Sequence, residues 1–311
     1  MVTSPPAAVL VGYRVPGPHD AAAVGRVLAR RLVVASVAAV VCAALCYVLM
    51  VRTSLGQRFD EAAFVAARTQ SGTVAAVDSG ELHRITADSL AVVLLVMVGI
   101  GILRRRVRLG LGAAFAAGIA VVVTDGLKSH VLTRPDLTGR GSYVIGNTYP
   151  SGHTAAAVAC AMALVLVSPP RWRGVAAVVA GGYGWVTAAQ VQTAGWHRPS
   201  DAVGAAFLAF AAVTAVAAVL VANRPEVRIR GGRHRPALGL LAVVGLVEGA
   251  VCLRGLIDVV RYLHAHAEGV RVSAGIRQEA YTSGLSVTVV VVVTLLAGLL
   301  VLIGRIDIGR R

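Results

Sequence analysis

The chain has 311 residues, 57% of them hydrophobic, and a mean hydropathy of +0.75. A soluble globular domain does not reach that hydropathy, so the expected solvent is the bilayer and the expected class is a polytopic membrane protein. The formal charge of +15, from 30 basic against 15 acidic residues, falls in short arginine clusters between apolar runs, which suits orientation in a membrane better than nucleic-acid binding. Cys42, Cys46, Cys160 and Cys252 all lie inside apolar runs, where cysteine behaves as a small hydrophobe rather than as part of a disulfide frame or a zinc set.

Residues 1–31 contain Pro5, Pro6, Pro16 and Pro18 without an apolar signal core, and read as a disordered cytoplasmic tail. A helix needs roughly 20 apolar residues to cross the hydrocarbon core. Eight segments qualify, near 32–51, 89–103, 109–127, 153–168, 174–194, 200–222, 237–253 and 284–303. The predicted fold class is therefore all-α: a polytopic membrane helical bundle of about eight helices. Its expected division is a core over 32–223, a basic cytoplasmic loop over 224–236 and an additional transmembrane helix pair over 237–311.

Arg30-Arg31, "RRRVR" at 104–108, "RWR" at 171–173, "RPEVRIRGGRHR" at 224–235 and "RIDIGRR" at the end all fall on one side of such a layout. The positive-inside rule makes that side the cytoplasm and puts both termini there. A multi-pass protein of the cell membrane is expected. The outer segment 53–88, with "RFDEAAFVAARTQ", spaces apolar residues helically among charges and fits either a helix along the membrane surface or a solvated loop helix. The outer segment 254–283 is similar. His264 and His266, with one residue between them, are poorly spaced for shared metal binding on a helix. Glu248, inside the seventh segment, calls for a partner, with Arg254 one candidate.

Polar residues unexplained by topology gather in two outer connections. In "TYPSGHT" at 148–154, Pro150 and Ser151 suit a helix start and Gly152 permits close backbone approach. The unpaired amides of that start favour an anion, beside a titratable His153. A plain cap at Ser151 with a wet interfacial ring fits this fragment equally well. In "WHRPSD", Asp201 follows His197 by four residues, so its carboxylate can face the ring and fix which nitrogen carries the proton. Lys128 and Arg134 precede the first histidine. Each could snorkel at the interface, although Pro135 restricts the chain at Arg134. Two cations, a helix N-terminus and two histidines on one outer face suit phosphoryl transfer.

The ordered pieces "KSHVLTRP" at 128–135, "PSGH" at 150–153 and "HRPSD" at 197–201 resemble the three motifs of the type 2 phosphatidic acid phosphatase (PAP2) superfamily. The resemblance covers about residues 85–223. It implies a six-helix core completed by the first span, with the last two spans outside it. It implies that His197 attacks phosphorus and forms a phosphohistidine, that Asp201 orients the ring, and that His153 protonates the leaving oxygen. Lys128, Arg134, Ser151 and the Gly152 amide would hold the phosphate oxygens, with no metal and no cofactor. Two departures stand out: Lys128 and Arg134 are one residue closer than the family spacing, and Gln190-Val191 stands where the family has Ser-Arg. Gln190 or Gln192 could donate a neutral hydrogen bond instead, and Arg198 or Arg140 could supply charge.

The implied protein is a lipid phosphatase acting on a lipid phosphate or isoprenoid (di)phosphate at the outer leaflet, with the bilayer as its partner and no nucleic acid. A lipid phosphotransferase using the same intermediate and a catalytically impaired lipid-phosphate binding or transport protein are the alternatives. A pump or channel would need more intramembrane charges on different spans.

Overall fold

The computed structural model describes residues 18–69, 82–138, 146–222, 228–229, 234–266 and 272–307. The helices, in order, are α1 (Pro18–Cys46), which continues into a π-helical turn at Tyr47–Val51, α2 (Ser54–Thr69) and α3 (Ala87–Leu103). Next come α4 (Val107–Gly126), continued by a π turn at Leu127–Val131, then α5 (Gly152–Val167), α6 (Arg173–Thr193) and α7 (Pro199–Ala222). The last two are α8 (Arg235–Ala265) and α9 (Ala274–Ile303). Arg228–Ile229 pairs antiparallel with Ile306–Asp307 over two residues.

Among the described residues, six stretches are long and apolar enough to cross a membrane: Ala23–Val51, Val107–Val131, Pro170–Thr193, Pro199–Ala222, Arg235–Ala265 and Ala274–Ile303. Ala87–Leu103 and Gly152–Val167 are shorter apolar helices. The molecule is thus an all-α polytopic bundle, and all eight expected segments are helical. At 16 residues, α5 is about 24 Å long, less than the hydrocarbon thickness of about 30 Å. Its shortness follows from its place: α4, α6 and α7 pack around it, and it is buried almost throughout. Small side chains make this packing close. Ala113, Ala116 and Ala117 on α4, Ala159 and Ala163 on α5, and Ala206 and Ala209 on α7 are all fully buried, and without long side chains between them the backbones approach.

Three expectations change. The helical chain already begins at Pro18, so 18–31 is not irregular; further along it, Leu28 and Leu32 are buried in the core. Residues 1–17 and most of the loop 224–236 lie outside the described residues. The segment 254–283 is largely a continuation of α8 and α9 beyond the expected spans. That extension gives α2 its seat: Phe59, Ala62, Ala63, Ala66 and Ala67 bury against Val259, Leu263, Ala280 and Tyr281. A helix with one apolar stripe satisfies it against protein here, not along the membrane surface. Arg58 fastens the contact, donating to the Leu263 carbonyl at 2.9 Å and the His266 carbonyl at 3.1 Å, which supplies partners at the frayed end of α8. His266 itself bonds the Tyr262 carbonyl at 2.8 Å. Glu248 is answered by the Ser286 hydroxyl at 2.7 Å rather than by Arg254.

At the opposite end of the bundle the arginine clusters do more than mark topology. Arg173 is fully buried. It donates to the Val165 carbonyl at 3.2 Å, the Leu166 carbonyl at 3.3 Å, the Ile306 carbonyl at 2.6 Å, and the Ile303 carbonyl. Arg104 donates to the Val167 carbonyl, and Arg106 pairs with Asp307 at 2.8 Å. Arg173 and Arg104 thereby satisfy orphan C-terminal carbonyls of α5 and α9.

Candidate active site

The site begins where α6 ends. Gly195, with φ +66, reverses the chain: its N–H bonds the Gln192 carbonyl at 2.9 Å, and the Trp196 N–H bonds the Val191 carbonyl at 3.1 Å. This is a Schellman ending, with its apolar contact made by Trp196 against Val191. His197 follows, then Arg198, and Pro199 opens α7 with a fixed φ.

His197 is 12% exposed and Asp201 is completely buried, with His197 Nδ1 3.3 Å from Asp201 Oδ2. The same Oδ2 accepts the Arg198 N–H at 3.0 Å, and Oδ1 accepts Arg134 Nη2 at 3.2 Å. Charge-assisted bonds therefore hold the carboxylate from several directions. With Nδ1 engaged, Nε2 is the nitrogen left to react.

Next to it stands the start of α5. Ser151 Oγ accepts the Thr154 N–H at 3.3 Å, and the Ser151 N–H bonds the Asp201 carbonyl at 2.9 Å, which ties two helix starts together. The first amides of α5 have no intrahelical acceptor. A Cβ built on Gly152 would meet open space, so a small anion could approach those amides. His153 packs edge-on against Trp196 at 5.4 Å, and Trp196 takes His83 at 4.9 Å. His197, Lys128 and His83 are the titratable neighbours of His153. The connection before α5 is pinned by Asn147, whose Nδ2 reaches the carbonyls of Lys128 at 3.2 Å, Leu132 at 3.0 Å and Tyr149 at 2.8 Å. Tyr149 in turn donates to the Ala43 carbonyl at 2.6 Å.

The cations differ in their commitments. Lys128 Nζ lies 3.2 Å from Asp125 Oδ1, with side chains 29% and 65% exposed. So wet a pair contributes little, and Lys128 can leave it for a stronger anion. Arg134 is enclosed between two carboxylates, with Nη2 3.3 Å from Asp60 Oδ2 and 3.2 Å from Asp201 Oδ1. Burial alone would lower the guanidinium, but Asp201 and Asp60 outweigh it and raise it above its ordinary value. Arg198 is buried too, bonding Glu61 Oε2 at 2.8 Å and Thr148 Oγ1 at 3.1 Å, and lying 4.7 Å over the Phe64 ring.

The structure thus brings His153, His197, Asp201, Ser151, Gly152, Lys128 and Arg134 to one end of the bundle. It also adds Asp60, Glu61, His83 and Asn147, which no local motif announces; Asp60 and Glu61 read only as charges on an amphipathic segment. No described group takes up the Ser-Arg pattern on α6. Val191 is sealed against Leu82 and Ala202. Gln192 Nε2 turns away to the Ala188 carbonyl at 3.1 Å and to Thr288 Oγ1 on α9 at 2.9 Å. Gln190 is half-buried, and Arg140 lies outside the described residues.

Among curated proteins and among solved structures, nothing matches this chain. The family model of the PAP2 superfamily matches residues 109–225, a stretch that runs from α4 through α7 and contains the two histidines, Asp201, Ser151, Gly152, Lys128 and Arg134. Over that stretch, rather more than a third of the chain, the protein is similar to the PAP2 superfamily.

Proposed function

We propose that this protein is an integral membrane phosphatase that removes phosphate from a lipid phosphate or isoprenoid (di)phosphate at the outer membrane face. The observation that carries the reading is the buried Asp201 carboxylate on His197 Nδ1, on a helix start bonded to the start that bears His153. Nε2 of His197 attacks phosphorus. The bond from phosphorus to the leaving oxygen breaks, and His153 gives that oxygen a proton. Water, losing a proton to His153, then attacks the phosphohistidine; the P–N bond breaks, and inorganic phosphate leaves with His197 neutral again. Lys128, the Gly152 amide and the α5 N-terminus stabilise the developing charge on the phosphoryl oxygens, and Ser151 shapes that helix start. Arg134 adds positive potential from behind Asp201. The substrate's tail stays in lipid throughout.

The test is phosphate release from a panel of lipid phosphates and polyprenyl diphosphates by the protein in lipid nanodiscs. Release is expected with at least one class, falling by at least about a thousandfold in His197→Ala because the covalent route is removed. Release unaffected by that change would overturn the mechanism, and transfer of phosphate to an added lipid alcohol in place of water would identify a phosphotransferase.

A further inference from the structure

Two acids enter the site from α2, before the stretch 109–225 that matches the family. Asp60 is fully buried, and its partners are donors: Arg134 Nη1 at 3.4 Å and Nη2 at 3.3 Å, the Ser200 hydroxyl at 2.5 Å and the Ser200 N–H at 3.3 Å. That set fits an ionised carboxylate, which can only accept. On balance the Asp60 carboxyl is raised, by burial first and by the neighbouring Asp201, against the downward pull of Arg134 and of the Ser200 hydrogen bond.

The arrangement matters through its charge. Arg134 lies between Asp60 and Asp201, so two carboxylates share one guanidinium and the trio keeps one net negative charge. Asp201 is the member that touches His197. If Asp60 were neutral, the full positive charge of Arg134 would fall on Asp201 and weaken its hold on the ring, an effect magnified by the low local dielectric. Glu61 plays the parallel part for Arg198, at 2.8 Å. Both acids reach the site because α8 and α9 back the helix that carries them.

We infer that Asp60 is a positioning residue of this site: through Arg134, it leaves Asp201 the negative charge with which Asp201 orients the His197 ring. Its kinetic consequence rests on the phosphatase reading above, whereas its effect on the His197–Asp201 hydrogen bond does not.

The experiment uses the full chain in nanodiscs with isotope-labelled histidine. The hydrogen-bonded Nδ1 proton of His197 is identified by its loss in His197→Ala, and phosphate release is followed in parallel. Asp60→Asn is expected to shift or broaden that resonance and to lower kcat at least about tenfold with KM changed by less than about threefold, since the loss is in orientation and not in substrate binding. Asp60→Glu, which keeps the charge, is expected to recover the resonance and most of kcat. An unchanged resonance and kcat in Asp60→Asn would overturn the inference, as would a rise in KM alone, or a Glu variant no better than the Asn variant. Should Asp60→Asn fail to fold, Ser200→Ala, which removes one Asp60 donor, is expected to give a smaller change in the same two readouts, and no change in either overturns the inference. If the wild type releases no phosphate from any substrate, the phosphatase reading falls while the resonance still decides the role of Asp60.

Discussion

His197 and Asp201 show what one short stretch of chain can specify. Four residues apart at a helix start, they meet in the structure at 3.3 Å, and the geometry was legible because the partners are local. Val191 shows the opposite. A resemblance makes it the site of an expected arginine, yet its meaning here lies in Leu82 and Trp196, contacts that no neighbouring residue in the sequence announces. Val191→Arg is therefore expected to destabilise the protein by about 3 kcal/mol or more, because it buries a charge with no built partner, and to leave phosphate release no higher. Thermal unfolding in detergent beside the release assay measures both. Faster release by this variant would mean that the space beside Val191 opens to substrate. Ser151→Ala removes a cap, and a loss of about 1 kcal/mol is expected in the same unfolding measurement.

Among the elements, α7 is held at close quarters. A Cβ on Gly204 would fall 2.1 Å from Tyr149 Oη, and one on Gly195 would fall 2.6 Å from Arg68 Cγ at a positive φ. Gly204→Ala is expected to destabilise by about 1–3 kcal/mol through overpacking. Gly239→Ala, with open space around the built Cβ, should leave stability unchanged or slightly higher, as helix propensity favours alanine. Equal unfolding temperatures for the two variants would show that the Tyr149 contact yields easily. Hydropathy made the helices legible, since apolar length is a local property. It did not reveal where α8 ends, where α9 begins or what α2 touches. Charged residues such as Asp258, Arg261 and Glu279 interrupt the apolar pattern there, and they look like a loop until α2 is seen to cover one face of it.

For the whole molecule, the site and the arginine-rich turns occupy opposite ends, and the proposal that the site faces outward rests on the positive-inside rule. In a cysteine-free background, Arg84→Cys, at an exposed residue beside the site, should react with an impermeant thiol reagent from outside intact cells. Arg171→Cys, exposed at the other end, should react only after permeabilisation, and the reverse pattern would invert the orientation. The matched stretch, 109–225, was also the part most legible in the sequence, because its motifs are compact. Asp60 and Arg134 are 74 residues apart and Glu61 and Arg198 are 137 apart, so their pairing is a property of the folded bundle alone.

Arg173 also constrains how this protein can be made. One buried guanidinium takes the last carbonyls of α5 together with those of Ile303 and Ile306. While the ribosome has delivered only the residues through α7, Nη1 of Arg173 lacks the two carbonyl acceptors that Ile303 and Ile306 later supply. The far end of α5 therefore gains its tie to α9, through Arg173, only once Ile303 and Ile306 have been synthesised and inserted.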